Sequence, residues 1–329
     1  AAALVWSLNP FLTHHEVKNV LKSSAYDPND PARWDYDAYP SWCNPYTPNN
    51  DRPFDGYYFT DEGCMLYEYN RKKGTGILNI YEALKLVKDM TLHGTIDYDL
   101  DLSGDVLVNG DVLVTAGNTL TLEPGCRLML LRQDVESGGE DTVKVQIDIE
   151  GTLVVNGTLS EPVQIVPAGT TSEYEEWTGI RISGSSASAQ ISNCYISKAY
   201  HGIKTTEEIQ IDNTVITECE VHGLFLSGSS ATGSRISQSV FCDNGSAGIM
   251  ASFCDSVTID TCDVYDNYYG IYLSSSDHSS ISKCDINDNS NDGIKLVSSD
   301  PNSIEWCLVE GNGQNGVYYS QSCGEMQYC

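Results

Sequence analysis

A parallel β-helix is the fold class this sequence predicts over most of its length, and three observations predict it. An apolar position recurs at Ile191, Ile211, Ile236, Ile259, Ile281 and Ile304, at steps of 20, 25, 23, 22 and 23 residues. A glycine followed by an apolar residue keeps the same beat at Gly202, Gly223, Gly248, Gly270, Gly293 and Gly316. Within each copy the alternation has period two, as in Ile271-Tyr272-Leu273 and Ile294-Lys295-Leu296, which puts apolar side chains on one face of a strand. Two independent markers with one period define an internal repeat, and a unit of about 22 residues is too short for a helical hairpin. Short strands broken by Asn, Asp, Ser and Gly turns then stack as coils about 4.8 Å apart. The isoleucine series, with Ile203, Leu224, Ile249, Ile271, Ile294 and Val317, forms inward ladders around a shared axis. The glycine is expected to supply a backbone bend that a side chain would hinder.

Residues 1–90 have a different character, and the helical signals concentrate there. Residues 1–8 are apolar and stop at Asn9-Pro10. Thr13-His14-His15-Glu16 forms a capping box ahead of Val17, Val20 and Leu21 on one helical face. A segment rich in Tyr, Pro and Asp follows, over residues 26–70, and holds Cys43 and Cys64, near enough in sequence for a local disulfide. Gly74-Thr75-Gly76 then leads into a second helix over residues 80–87.

The segment AAALVWSLNPFLTHHEVKNVLKSSA (residues 1–25) resembles the subtilisin-family stretch that follows the nucleophile motif. GTGILNIYEALKLV (residues 74–87) is similar to that family's closing glycine turn and last helix. The resemblance implies a small α-helical, subtilisin-like carboxyl-terminal segment. The family's catalytic Asp, His, oxyanion-hole Asn and serine motif lie upstream of the matched part, so no catalytic residue carries over. His14 and His15 sit in the first turn of a surface helix, where a structural role is the simpler reading.

Residues 91–188 read as the opening coils. Ile96, Tyr98, Leu100 and Leu102 alternate with Asp97, Asp99, Asp101 and Ser103. AGNTLTLEPGCRLML (residues 116–130), EGTLVVNGTLSEPVQIVP (150–167) and WTGIRI (177–182) resemble the first coils of secreted right-handed parallel β-helix proteins of the pectate-lyase-like type. Many of those are adhesive or surface modules, and others cleave acidic polysaccharides. The expected architecture is therefore mainly β. An α-helical segment (1–90) leads to opening coils (91–188), then to regular coils with a carboxyl-terminal cap (189–329).

Composition narrows the partners. With 46 acidic against 18 basic residues the formal charge is −28, which disfavours nucleic acid and anionic membrane surfaces. No apolar run is long enough to span a membrane. Twelve cysteines suit an oxidising compartment, so a secreted or cell-surface location is expected, inferred from cysteines and composition alone.

Several constellations offer chemistry. Asp97, Asp99, Asp101 and Asp105 suggest Ca²⁺, yet carboxylates alternating on a strand project from one face without wrapping an ion. No other metal or cofactor is expected. Asp263 and Asp285, at equivalent positions of adjacent coils, could couple as an acid pair, but no basic residue accompanies them. Two residues after each repeat glycine the outward position reads Lys204, Phe225, Met250, Tyr272, Lys295 and Tyr318. The large apolar members, Phe225, Met250, Tyr272 and Tyr318, mark either a binding stripe or a surface covered from within the chain.

Cys194, Cys262, Cys284 and Cys307 share one coil position, where a Cys262–Cys284 bridge and a buried thiol stack are equal alternatives. Cys219 and Cys242 fall in adjacent turns and are a candidate bridge. Cys323 and Cys329 are another, or a tie to a second subunit. Asn156-Gly157-Thr158 and Asn244-Gly245-Ser246 are glycosylation sequons. The function these features predict is a non-catalytic extracellular structural or binding module. Its partners would be an extracellular protein or glycan, or copies of itself in a filament or surface array. The rivals are the tail of a secreted subtilisin-like endopeptidase with its catalytic residues upstream, and a polysaccharide lyase or hydrolase.

Overall fold

A computed structural model describes residues 91–329 apart from 132–133, 169–176 and 323, together with two short strands, Tyr58–Phe59 and Met65–Leu66. The chain divides into two compact units, Ala1–Met90 and Thr91–Cys329. In the first, the two strands pair antiparallel, with Tyr58 opposite Leu66 and Phe59 opposite Met65. The helices expected at residues 1–8, 13–21 and 80–87, the subtilisin-like segments, and Cys43 and Cys64 lie outside the described residues. Among the described residues the only helical element is a single 3₁₀ turn, Ser229–Ala231. The helical part of the expected architecture thus has no support in the structure.

The second unit is a parallel β-helix with three faces. The first face is a ten-stranded sheet running from Leu100–Leu102 to Gly324–Gln327, each strand paired with its counterpart one coil on. The second and third faces belong to an 18-stranded sheet, joined in the opening coil by the long strand Asp105–Val114. Its first half pairs with Arg127–Leu130 on the second face and its second half with Gln146–Ile149 on the third. One regular coil comprises Thr258–Asp260, Asp263–Tyr265 and Tyr269–Ser274; the next comprises Ser280–Ser282, Asp285–Asn287 and Ile294–Val297.

The predicted ladders are the observed registers. Ile191, Ile211, Ile236, Ile259, Ile281 and Ile304 are successive partners on the first face, and all are buried. Ile203, Leu224, Ile249, Ile271, Ile294 and Val317 are successive partners on the third. Between them the second face stacks Ile196, Ile216, Phe241, Val264 and Ile286. These side chains merge into one apolar column from Ile96 to Cys307, and burying it is the main force holding the coils together.

The repeat glycines act differently from the expectation. None has a left-handed backbone; instead, at all of them but Gly316, the next coil approaches too closely for a side chain. A Cβ on Gly270 would lie 2.4 Å from the carbonyl oxygen of Gly293 and 2.8 Å from Ile286 Cγ2. The left-handed bends fall on non-glycine residues instead: Asn193, Asn213, Gln238, Thr261, Lys283 and Trp306 between the first and second faces, and Lys198, Glu218, Asp243, Asp266 and Asp288 after the second-face strands.

Of the polar columns that line the interior, two bear on the expectations from sequence. In one, Asn244, Asn267, Asn289 and Asn312 stack, each side-chain amide reaching the next and capping main-chain groups of neighbouring coils. Asn244 of the second sequon is thus buried, whereas Asn156 of the first is exposed. The other column holds thiols, and it corrects the disulfide expectation: Cys219, Cys242, Cys262, Cys284 and Cys329 are all free. Cys262, Cys284, Cys307 and Cys329 each donate to the carbonyl two residues earlier, at 3.2–3.4 Å.

Parallel in-register side chains keep their Cβ atoms near the strand spacing of about 4.8 Å, beyond the 3.5–4.5 Å a disulfide needs. Cys242 is also opposite Thr217, not Cys219, whose amide instead donates to Asn244 Oδ1. The contact with Cys262 and burial push the Cys284 thiol up to about 12, and burial does the same to Cys219. Cys323 lies outside the described residues.

Candidate functional site

The third face presents the strongest concentration of unusual side chains. Its outward row runs Asp148, Arg181, Lys204, Phe225, Met250, Tyr272, Lys295 and Tyr318, each the register partner of the next. Alternation fixes this direction: the flanking residues of each strand, such as Ile271 and Leu273, point into the core. Phe225, Met250 and Tyr272 are half-buried and Tyr318 is exposed. Part of the cover comes from within the row. The Lys295 ammonium sits 4.3 Å from the Tyr269 ring centre, 4.9 Å from Tyr272 and 5.9 Å from Tyr318, and donates to Tyr269 Oη at 3.0 Å.

A second outward column, at the residue before each repeat glycine, brings in His201, His222 and Tyr269. His201 and His222 stack with ring centres 5.4 Å apart, and Phe225 packs against both. His222 Nδ1 accepts the Ala247 amide at 3.1 Å, which leaves its proton on Nε2. Burial pulls both histidines down to about 4, with Lys204 adding to the effect on His201. Both rings are therefore neutral near pH 7.

At the amino-terminal end of the row the charges converge. Glu140, Gln146, Thr178, Arg181, His201 and Lys204 line one cleft. Lys204 Nζ bonds both Glu140 oxygens, at 2.8 and 3.0 Å, and Arg181 lies 3.8 Å from Glu140 Oε1. Arg181 Nε donates to Asp148 Oδ1 at 2.6 Å, and Gln146 Nε2 donates to the same oxygen. The Lys204 hydrogen bond holds the Glu140 carboxyl below its usual range. Glu140, Lys204 and Arg181 remain 31–41% exposed at the side chain, so each of their mutual contacts contributes at most about 1 kcal/mol. Beneath the cleft, burial raises Asp111 to about 6, and its Oδ1 accepts the Gln146 amide at 2.7 Å.

A family model described as "right handed beta helix region" matches residues 178–328. The matched stretch falls within the parallel β-helix of the second unit. Among solved structures, the chain is similar to the periplasmic alginate epimerase AlgG, with 12% identity, 70% of this chain and 72% of that one covered, and a TM-score of 0.44. It is also similar to the A-module of the Azotobacter vinelandii mannuronan C-5 epimerase AlgE4 (14% identity, 71% and 89% covered, TM-score 0.34). The Streptococcus pneumoniae surface protein and adhesin PfbA matches at 10% identity, covering 76% and 97%, with a TM-score of 0.28. Scores this low carry no argument about activity. No curated protein matches the sequence.

The remaining sequence candidates do not converge on the cleft. On the β-helix domain's second face Asp263 and Asp285 are partners, and burial followed by Asp285 raises the Asp263 carboxyl. In the opening coils, Asp99 Oδ1 accepts the Thr119 amide at 2.8 Å. Among the described residues, no three His, Cys, Asp or Glu side chains group as metal ligands would. Sequence reasoning missed Glu140, Asp148 and Arg181. Arg181 was within reach, since it falls two residues after Gly179, one coil before Lys204.

Proposed function

We propose that this chain is a non-catalytic extracellular binding module whose β-helix domain holds an extended glycan along its third face. The observation that carries the reading is the in-register outward row from Arg181 to Tyr318. Its spacings of about 4.8 Å add up to a track of about 29 Å, suited to an extended chain. Tyr272, Tyr318 and Phe225 offer flat apolar bodies for sugar rings, and tyrosine adds a polar tip. The formal charge of −28 argues against acidic ligands in general. This row, however, carries Arg181, Lys204 and Lys295, with Asp148, Glu140 and Asp292 beside them, so it is far less acidic than the chain as a whole.

Binding to an array of neutral and acidic oligosaccharides tests the proposal. Tyr272→Ala and Phe225→Ala should each weaken the best ligand by about tenfold while leaving the far-ultraviolet circular dichroism unchanged. If no glycan binds, or if both variants bind like the parent, the reading fails. Self-association competes as a partner class, and a monodisperse monomer in sedimentation would remove it.

A second reading, polysaccharide lyase or hydrolase, is favoured by one observation. The neutral His201 lies in the same cleft as Arg181 and Lys204, a base beside two cations able to neutralise a sugar carboxylate. New unsaturated or reducing ends from a uronate polymer, lost in His201→Ala, would establish it. The endopeptidase reading rests on residues 1–25 and 74–87 alone, and labelling by a fluorophosphonate probe decides it.

A further inference from the structure

We infer that Glu140 is an intramolecular occupant of an anion subsite on the third face, filling the place that a carboxylate or sulfate on a bound glycan takes. The inference rests on the glycan-binding reading and deepens it by naming the charged end of the track and what competes there. Arg181 and Lys204 are register partners on adjacent coils, which sets two cations side by side on one surface. Such a pair repels unless an anion lies between them. Asp148 satisfies one edge of Arg181 through Nε, leaving the NH1 edge and the whole Lys204 ammonium to another partner. Glu140 is that partner, with both oxygens on Lys204 and Oε1 toward Arg181. This is the arrangement an anionic sugar substituent would adopt.

Glu140 is not itself part of the row. It arrives from the connection between Arg127–Leu130 and Gln146–Ile149, far longer than the turn between Cys194–Ser197 and Ile203–Thr205 in a regular coil. Ser137 and Gly139 turn this connection with positive φ, and Gln146 Oε1 accepts the Glu140 amide at 2.9 Å. The carboxylate is thus delivered to the row from outside by a dedicated piece of chain. Beside it, His201 Nδ1 is buried without a hydrogen-bond partner. The contacts are exposed enough that a ligand held along the rest of the row can displace Glu140, because its charged group then acts at high effective concentration.

The test measures binding of a hexauronate and of its methyl ester by calorimetry at low ionic strength, for the parent, Glu140→Gln, Glu140→Ala and Lys204→Met. Removing the internal competitor should tighten the hexauronate by about fivefold and leave the ester unchanged. Lys204→Met should abolish the preference for the uronate over the ester. Added salt should erase the gain. If the ester binds but both Glu140 variants hold the hexauronate no better than the parent, Glu140 merely positions Lys204. The inference is then overturned while the glycan reading stands. If neither ligand binds the parent or the Glu140 variants, this inference is overturned, and the glycan reading falls with it where the oligosaccharide array also finds no binder.

Discussion

Asn267 shows how single residues hold this solenoid together. Its Nδ2 donates to the carbonyls of Phe241 and Tyr265, each at 2.9 Å, and its Oδ1 accepts the Asn244 amide at 3.0 Å. The residue is 1% exposed, so no water replaces these partners. Asn267→Ala should leave several buried main-chain groups unpaired, at about 1–3 kcal/mol each, and lower stability by at least about 3 kcal/mol in urea unfolding. A loss below about 1 kcal/mol would mean that the column is ornamental. The column was present in the sequence at Asn244, Asn267, Asn289 and Asn312, but asparagine is also the commonest turn former, and it reads as turn punctuation. Nothing in spacing distinguishes an amide facing solvent from one facing the interior. The thiols were harder still: equal spacing placed Cys262 and Cys284 as neighbours, yet neighbours in a parallel ladder stand too far apart at Cβ to bridge.

At the scale of the strand and its turn, the glycine column separates close approach from backbone bending. Gly270 leaves no space for a methyl group, whereas a Cβ on Gly316 would meet only Val309, at 3.5 Å. Gly270→Ala should therefore cost about 2–3 kcal/mol and Gly316→Ala under about 1 kcal/mol, measured as urea midpoints with unchanged slope. Equal effects would return the column to the bending role expected from sequence. The ladders themselves were legible because every regular coil has nearly the same length, so one apolar period fixes register, face and core together. The charged end of the row was not. Glu140 reaches Lys204 across 64 positions, through an insertion that breaks the period, and no local pattern reports that encounter.

Across the whole second unit, each coil pairs only with the coil before and the coil after, so its stability is a sum of coil and interface contributions. Deleting residues 259–280 removes 22 residues, one full step from Ile259 to Ile281. Ile281 would then stack on Ile236, Asn289 on Asn244 and Gly293 on Gly248, like upon like at every level. The shortened protein should keep its β-type circular dichroism and unfold cooperatively at a lower midpoint. It should also bind glycan more weakly, because the row loses Tyr272 and its neighbour Tyr269. Deleting residues 259–269 removes 11 residues and joins Thr258 of the first face to Gly270 of the third. That junction puts one face's strand in the place of another and should yield no soluble folded protein. If the full-step deletion proves as disruptive as the half-step one, the coils are not interchangeable. A binding track built by repetition would then have no structural basis.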